Sequence, residues 1–136
     1  MYFMWHDSYS VGYDPIDHQH QKLFTISNDL TEATEKSAGA NEKELRNIIC
    51  DLLTYARTHF AEEEQLMRQT AFPDFARHKA LHEAFDAKIH EVEKQVLNGE
   101  VHAVASFLPQ LIGDWLLDHI ATEDQQYAAY IKTALP

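Results

Sequence analysis

An all-α fold, an up-down-up-down four-helix bundle with an extended N-terminal arm, follows from three observations. Apolar residues recur at three-to-four spacing through four long segments. Short breakers separate those segments: Ser37 to Asn41, Phe72-Pro73 and Asn98-Gly99. No stretch alternates as a strand would, and no internal repeat or low-complexity tract is present. Long helices joined by short loops must lie antiparallel to their chain neighbours, which defines the topology.

Residues 1–13 are aromatic-rich and aperiodic, with Tyr2, Phe3, Trp5, Tyr9 and Tyr13, and read as an arm lying on the bundle. Asp14-Pro15 looks like an N-cap followed by proline in the first turn. The first helix spans about 15–37, with Ile16, His20, Leu23, Ser27 and Leu30 on one stripe that Phe24 and Ile26 widen. Asn41 caps the second helix, with Glu44 as its capping-box partner. That helix runs over about 42–69 and carries Leu45, Ile48, Ile49, Leu52, Ala56, His59, Glu63 and Leu66 inward. It stops because Phe72-Pro73 cannot continue it. The third helix, about 74–97, has a heptad-like seam: Phe75, His78, His82, Phe85, Ile89, Val92 and Val96. Asn98-Gly99 ends it. The fourth, about 101–132, points Leu108, Ile112, Trp115, His119, Tyr127 and Ile131 inward, and Pro109 should kink it or split off a first segment.

Composition narrows the function. A chain of 136 residues makes one domain with one sizeable core. Acidic residues outnumber basic ones 22 to 11, for a formal net charge of −11. Such a surface repels phosphate backbones and anionic lipid, which argues against nucleic acid and membrane partners. No apolar run is long enough to span a bilayer, and the N-terminus lacks the basic and apolar regions of a signal peptide. A single cysteine, Cys50, makes no intramolecular disulfide, so the expected compartment is the reducing cytoplasm. The unusual number is nine histidines.

Several of these sit where apolar residues belong. His20 interrupts the first stripe, His59 and Glu63 the second, His78 and His82 the third, and His119 the fourth, with Asp124 behind it. Buried unpaired charges and imidazoles are costly, so seven such groups in one small core need a shared explanation. A lone histidine on an apolar face is usually a satisfied core group. His6, His18, His90 and His102, off the seam or in loops, are read that way, and Glu62 and Glu64 as solvated helix face. The seven differ because they pair. His59 with Glu63 and His78 with His82 are i,i+4, so each pair projects from one face and can share a metal ion. His119 and Asp124 are five apart, about 140° around a regular helix. A π-type distortion near 120–123, or a metal lying between the two, would reconcile them.

Five imidazoles and two carboxylates exceed one tetrahedral zinc and are too nitrogen-rich for calcium or magnesium. They suit iron, with manganese, cobalt or a zinc pair as lesser options. If two six-coordinate metals share both carboxylates and a solvent-derived oxygen as bridges, a single coordination position stays open, on one metal only.

The residues Trp5, Ser10-Val11-Gly12, Ile16-Asp17-His18-Gln19-His20, His59-Phe60-Ala61-Glu62-Glu63, His78-Lys79-Ala80-Leu81-His82 and the run Trp115 to Asp124 resemble the hemerythrin family, its bacteriohemerythrin branch most closely. The resemblance covers nearly the whole chain and fills all seven of the family's ligand positions. It implies two iron ions in a non-haem di-iron centre with an oxo or hydroxo bridge, and reversible dioxygen binding for storage, delivery, scavenging or sensing. It implies that His78, His82 and His119 saturate one iron, that His20 and His59 hold the other, where the open position lies, and that Glu63 and Asp124 bridge. Phe60, Trp115, Leu116 and Ile120 would line an apolar oxygen pocket; plain core packing is their other reading. Tyr127, one turn after Asp124, is placed to hydrogen-bond a ligating carboxylate or imidazole. Nitric oxide and small anionic ligands are the other expected partners, and no protein recipient of oxygen can be named. The sequence departs from the family where Ala71-Phe72-Pro73 replaces the frequent Gly-Tyr-Pro, and at Pro109. His18 is a competitor for the place of His20, but the motif register favours His20.

The implied protein is a binder and not an enzyme. The alternative is a di-iron oxidase, peroxidase or ferroxidase. Ferritin-like enzymes of that kind use carboxylate-rich sets with Glu-x-x-His pairs. Here imidazoles outnumber carboxylates five to two, and no such pair lies on the seam.

Overall fold

The computed structural model describes residues 3–35 and 41–134. A 3-10 turn, Asp7–Tyr9, precedes α1 (Asp14–Thr34), α2 (Glu42–Gln69), α3 (Phe75–Leu97) and α4 (Val101–Asp118). A π-helical turn, His119–Glu123, then leads without a break into α5 (Asp124–Ala134), so α4, the π turn and α5 form one rod. Helix α1 packs against α2 and α4, α2 also against α3, and α3 against α4, which closes a four-helix ring. The expected all-α bundle is the one observed.

The helix ends follow from local chemistry. Asn41 Oδ1 accepts from the Lys43 and Glu44 amides at 2.8 and 3.4 Å, as its position predicts. At the end of α2 the Phe72 amide donates to the Met67 carbonyl and the Ala71 amide to that of Arg68. At the end of α3, Glu100 donates to Gln95 and Gly99 to Val96. Both are Schellman turns, which need one left-handed residue. Gly99 supplies it at φ 85°, whereas Ala71 is forced to φ 54°.

Two local expectations need correction, and a third lies outside the described residues. Asp14 is not the N-cap but the first residue of α1; Tyr13 holds the cap position and makes no side-chain cap bond. The carboxylate that ties down this end is Asp17, which accepts from Ser10 Oγ at 2.5 Å and from the Val11 amide at 2.8 Å. Helix α1 ends at Thr34, and the end expected near residue 37 and most of the breaker fall outside the described residues. Pro109 splits nothing off: α4 runs through it, and the irregularity of this rod comes at His119. The bond lost at Pro109 lies within a helix whose flanking Ala105, Leu108 and Ile112 are all buried, so packing carries the helix past it.

The arm is anchored by the rings the sequence singles out. Phe3 stacks on Phe24 with centroids 6.1 Å apart, and Asn28 clasps its backbone by both amide and carbonyl at 2.8 Å. The Phe3 ring lies over Gly113 of α4, where a Cβ would fall inside it.

Nearly every predicted inward residue is buried; Ile26, Ile48, Phe75 and Trp115 are half-buried. The core has two apolar parts. The larger holds Leu23, Ile49, Leu52, Phe85, Ile89 and Leu108. The smaller holds Val11, Ile16, Leu66, Met67, Tyr127 and Ile131, near the start of α1, the end of α2 and α5. The histidines lie between the two along every helix. No described helix is long and apolar enough to cross a membrane.

Candidate metal centre

All seven seam residues are buried, none more than 3% exposed. Helix α1 delivers His20, and α2 delivers His59 and Glu63 from successive turns. Helix α3 does the same with His78 and His82, and the π turn separates His119 from Asp124. The extra residue in that turn rotates Asp124 back toward His119, so that Asp124 Oδ1 lies 3.2 Å from His119 Nε2. This is the distortion the five-residue spacing requires.

The histidines form two groups. His78, His82 and His119 turn their Nε2 atoms together, with His119 3.0 Å from His78 and 3.2 Å from His82. His20 and His59 make the second group, Nε2 to Nε2 3.0 Å. Each carboxylate lies between the groups and gives one oxygen to each. Glu63 Oε1 lies 2.9 Å from His78 and 3.1 Å from His82, while its Oε2 lies 3.3 Å from His59 and 3.6 Å from His20. Asp124 Oδ1 lies 3.1 Å from His78, and its Oδ2 3.2 Å from His20.

His78 Nε2 hydrogen-bonds Glu63 Oε1, but the set as a whole has more acceptors than it can satisfy. Glu63 Oε2 and both Asp124 oxygens are buried without a hydrogen-bond partner among the described residues. Ring nitrogens about 3 Å apart, aimed at one point, match neighbouring ligands on a metal held at roughly 2.1 Å. Two sets of donor atoms meet within 4.8 Å: Glu63 with His78, His82 and His119, and Glu63 with His20 and His59.

Without a cation the cluster must balance itself with protons. Burial opposes charge on His20, but the close carboxylates of Asp124 and Glu63 outweigh it and push its pKa up to about 9. The same contest, led by Asp124, takes His119 up to about 10 and also raises His78. Burial and neighbouring His20 hold His59 down despite Glu63. Burial would raise both carboxyls, and the Glu63 charge would raise Asp124 further, yet the surrounding imidazoles keep both well below the usual carboxylate range.

The remaining expected site residues fall around this core. Phe60 stacks on His82 with centroids 4.3 Å apart, and Trp115 stacks on His119 at 4.4 Å. Leu116 and Ile120 are buried in the larger apolar cluster. Tyr127 is fully buried, its ring 6.2 Å from that of His78; its hydroxyl finds no partner among the described residues. Burial and the nearby Glu63 and Asp124 charges raise its pKa. His6, His18, His90 and His102 are exposed.

Sequence reasoning missed the outer contacts. Glu64, read as solvated face, accepts from His82 Nδ1 at 2.9 Å with its side chain 13% exposed. Gln19 Oε1 accepts from His59 Nδ1 at 2.8 Å, and the Gln19 amide donates to Glu62. The available signal was chemical and not periodic: an imidazole that ligates through one nitrogen needs an acceptor on the other.

Fold and site together define a four-helix bundle built around a buried histidine–carboxylate cluster that could hold metal ions. The chain belongs to the hemerythrin family: residues 11–131 match the hemerythrin HHE cation binding domain. It is 33% identical over 132 residues to a bacteriohemerythrin of Stenotrophomonas maltophilia, covering 97% of this chain and 83% of that one. It is 27% identical over 126 residues to a bacteriohemerythrin of Clostridium acetobutylicum, covering 92% and 98%. A crystal structure of wild-type hemerythrin superposes with a TM-score of 0.81 at 26% identity, over 95% of this chain and 97% of that one.

Proposed function

We propose that this protein binds dioxygen reversibly at a di-iron centre. The observation that carries the reading is the straddling of the carboxylates: Glu63 and Asp124 each offer one oxygen to either histidine group. That is the arrangement of two metal ions sharing two bridges, and a single-ion site has no use for it. His78, His82 and His119 would hold one iron, and His20 and His59 the other. Family membership and the histidine-rich donor set support iron.

When bound, an iron pair would lend dioxygen electrons on uptake and take them back on release. The protein does the rest. The group with two histidines has one protein donor fewer, so an open position faces His20 and His59. Nitric oxide and small anions would compete for it. Phe60, Trp115, Leu116 and Ile120 surround the ligands with apolar and aromatic surface that keeps bulk water out. Tyr127 brings an unspent buried hydroxyl near the two carboxylates. The exposed Cys50 fits a reducing, cytoplasmic setting.

An anaerobic optical titration tests the reading. Protein loaded with ferrous iron should bind two ions per chain. Admitting air should raise a visible charge-transfer band, and removing oxygen should abolish it. A band that persists, or ferric product released with turnover, would indicate an oxidase or ferroxidase instead. Fewer than two ions would exclude the di-iron centre.

A further inference from the structure

Glu62, Glu63 and Glu64 are consecutive on α2, so they fan out in steps of about 100°. Glu63 points into the core between the histidine groups. Glu62 reaches Gln19 on α1, and Glu64 reaches His82 on α3. Each outer glutamate therefore acts on a histidine of a different group, one directly and one through an amide.

We infer that Glu64 and Gln19 are positioning residues that make the two metal positions electronically unequal; the inference rests on the di-iron reading above. An ionised carboxylate only accepts hydrogen bonds. Glu64 therefore fixes the proton of His82 on Nδ1 and leaves the Nε2 lone pair facing Glu63 and His119. On the other side, Glu62 can only accept, so the Gln19 NH2 must face it. That orientation turns Gln19 Oε1 onto His59 Nδ1, which carries the proton there too. Both imidazoles are thus set in the ligating tautomer by outer groups. The partners differ in charge: His82 leans on a carboxylate, His59 on a neutral amide. A carboxylate partner makes an imidazole the stronger electron donor. The metal position served by His82 is the one that favours the higher oxidation state.

Glu64 also lines a surface pocket of about 300 Å³, together with Phe60, His82, Arg57 and Glu83. Glu83 follows His82 in the chain, but its side chain is exposed and pairs with Lys79 at 3.9 Å. Glu83→Gln therefore removes a nearby charge while leaving the Glu64 acceptor on His82 in place, and serves as the control.

The test is an anaerobic redox titration of iron-loaded protein, followed optically, with iron content measured on each variant. Glu64→Gln keeps an acceptor for His82 and should retain two ions. It should favour the ferrous form of one iron by tenfold or more, a rise of about 59 mV in one of the two one-electron steps, with the other step nearly unmoved. Gln19→Glu should lower the other step. Glu64→Ala, which loses the acceptor as well, should weaken one ion by about 10–100-fold. The inference is overturned if Glu64→Gln titrates like the unaltered protein, if both steps move together, or if Glu83→Gln does as much. Unaltered protein that holds fewer than two irons would instead defeat the di-iron reading, whatever Glu64 does. Metal-free melting curves of each variant separate these outcomes from misfolding.

Discussion

The two histidine groups share the same two carboxylates and yet are built differently. His78, His82 and His119 are braced from outside: Phe60 stacks on His82 and Trp115 on His119, and Glu64 accepts from His82 Nδ1. His20 and His59 meet edge to face at 4.6 Å, and His20 Nδ1 is buried with no partner among the described residues. One group has three rings and two stacked aromatics, the other two rings and, among the described residues, a single outer acceptor, Gln19 on His59. A protein that must admit a small ligand at one metal and not at the other needs that inequality. It comes from donor number and bracing, since the bridging residues are common to both sides.

The most drastic way to break the comparison is to remove both metals. Seven buried polar groups then lose what joins them, and the folded state keeps only the proton-balanced network. Iron-free protein should be less stable by on the order of 5–10 kcal/mol, roughly 15–30 °C in melting temperature. Equal melting curves with and without iron would sink the assignment.

Ligand variants should separate the sides. Glu63→Ala removes the group both share and should leave less than one iron per chain. His20→Ala and His119→Ala each strip one side, so each should retain about one iron and roughly half of the metal-dependent gain in melting temperature. Iron counting beside calorimetry checks this. Loss of both ions in either histidine variant would mean that the groups are not separable.

Protons offer a finer probe of the metal-free form. The His20 and His119 pKa values are raised on folding, so their contribution is complete below the unfolded value near 6.5 and is lost as pH rises toward about 9 and 10. Metal-free protein should therefore lose about 3 kcal/mol or more between pH 6.5 and 10. Below pH 4.5 it should weaken again, because Glu63 and Asp124 are held low and their contribution is lost on acidification. Iron binding should run oppositely over the neutral range and tighten as pH rises, since the ligands must shed protons. Urea melts of metal-free and loaded protein across that range would show whether the slopes diverge.

Much of this was legible in advance for a physical reason. A polar residue on an apolar stripe is conspicuous, and period alone placed His20, His59, Glu63, His78 and His82 on inward faces. His119 and Asp124 were legible as a contradiction: no regular helix brings residues five apart together, and the π turn resolves it. Periodicity cannot register a residue one step off the stripe, and so Glu64 and Gln19 escaped it. Nor does it weigh a proline against the packing of its helix, which is why a split at Pro109 was the wrong half of that expectation. Asp14 was mistaken for the cap because the competing carboxylate, Asp17, works from within the first turn.

The smallest effect concerns how the braced group is delivered. Helix α3, which carries His78 and His82, enters through the turn that puts Ala71 at φ 54°. The matching turn after α3 has Gly99 there, and the hydrogen bonds are the same. A left-handed alanine costs roughly 1–2 kcal/mol, and replacing it by glycine returns part of that to the unfolded chain's greater freedom. Ala71→Gly should therefore stabilise by about 0.5–1 kcal/mol, a few degrees of melting temperature. The turn's partners do not change: Tyr130 still donates to the Thr70 and Ala71 carbonyls, and Phe72 still packs against Tyr127. Iron content should stay at two per chain. If Ala71→Gly instead loosened iron on the three-histidine side alone, the left-handed alanine would be part of what holds α3 in register with α2, and the bracing of that group would extend into the turn.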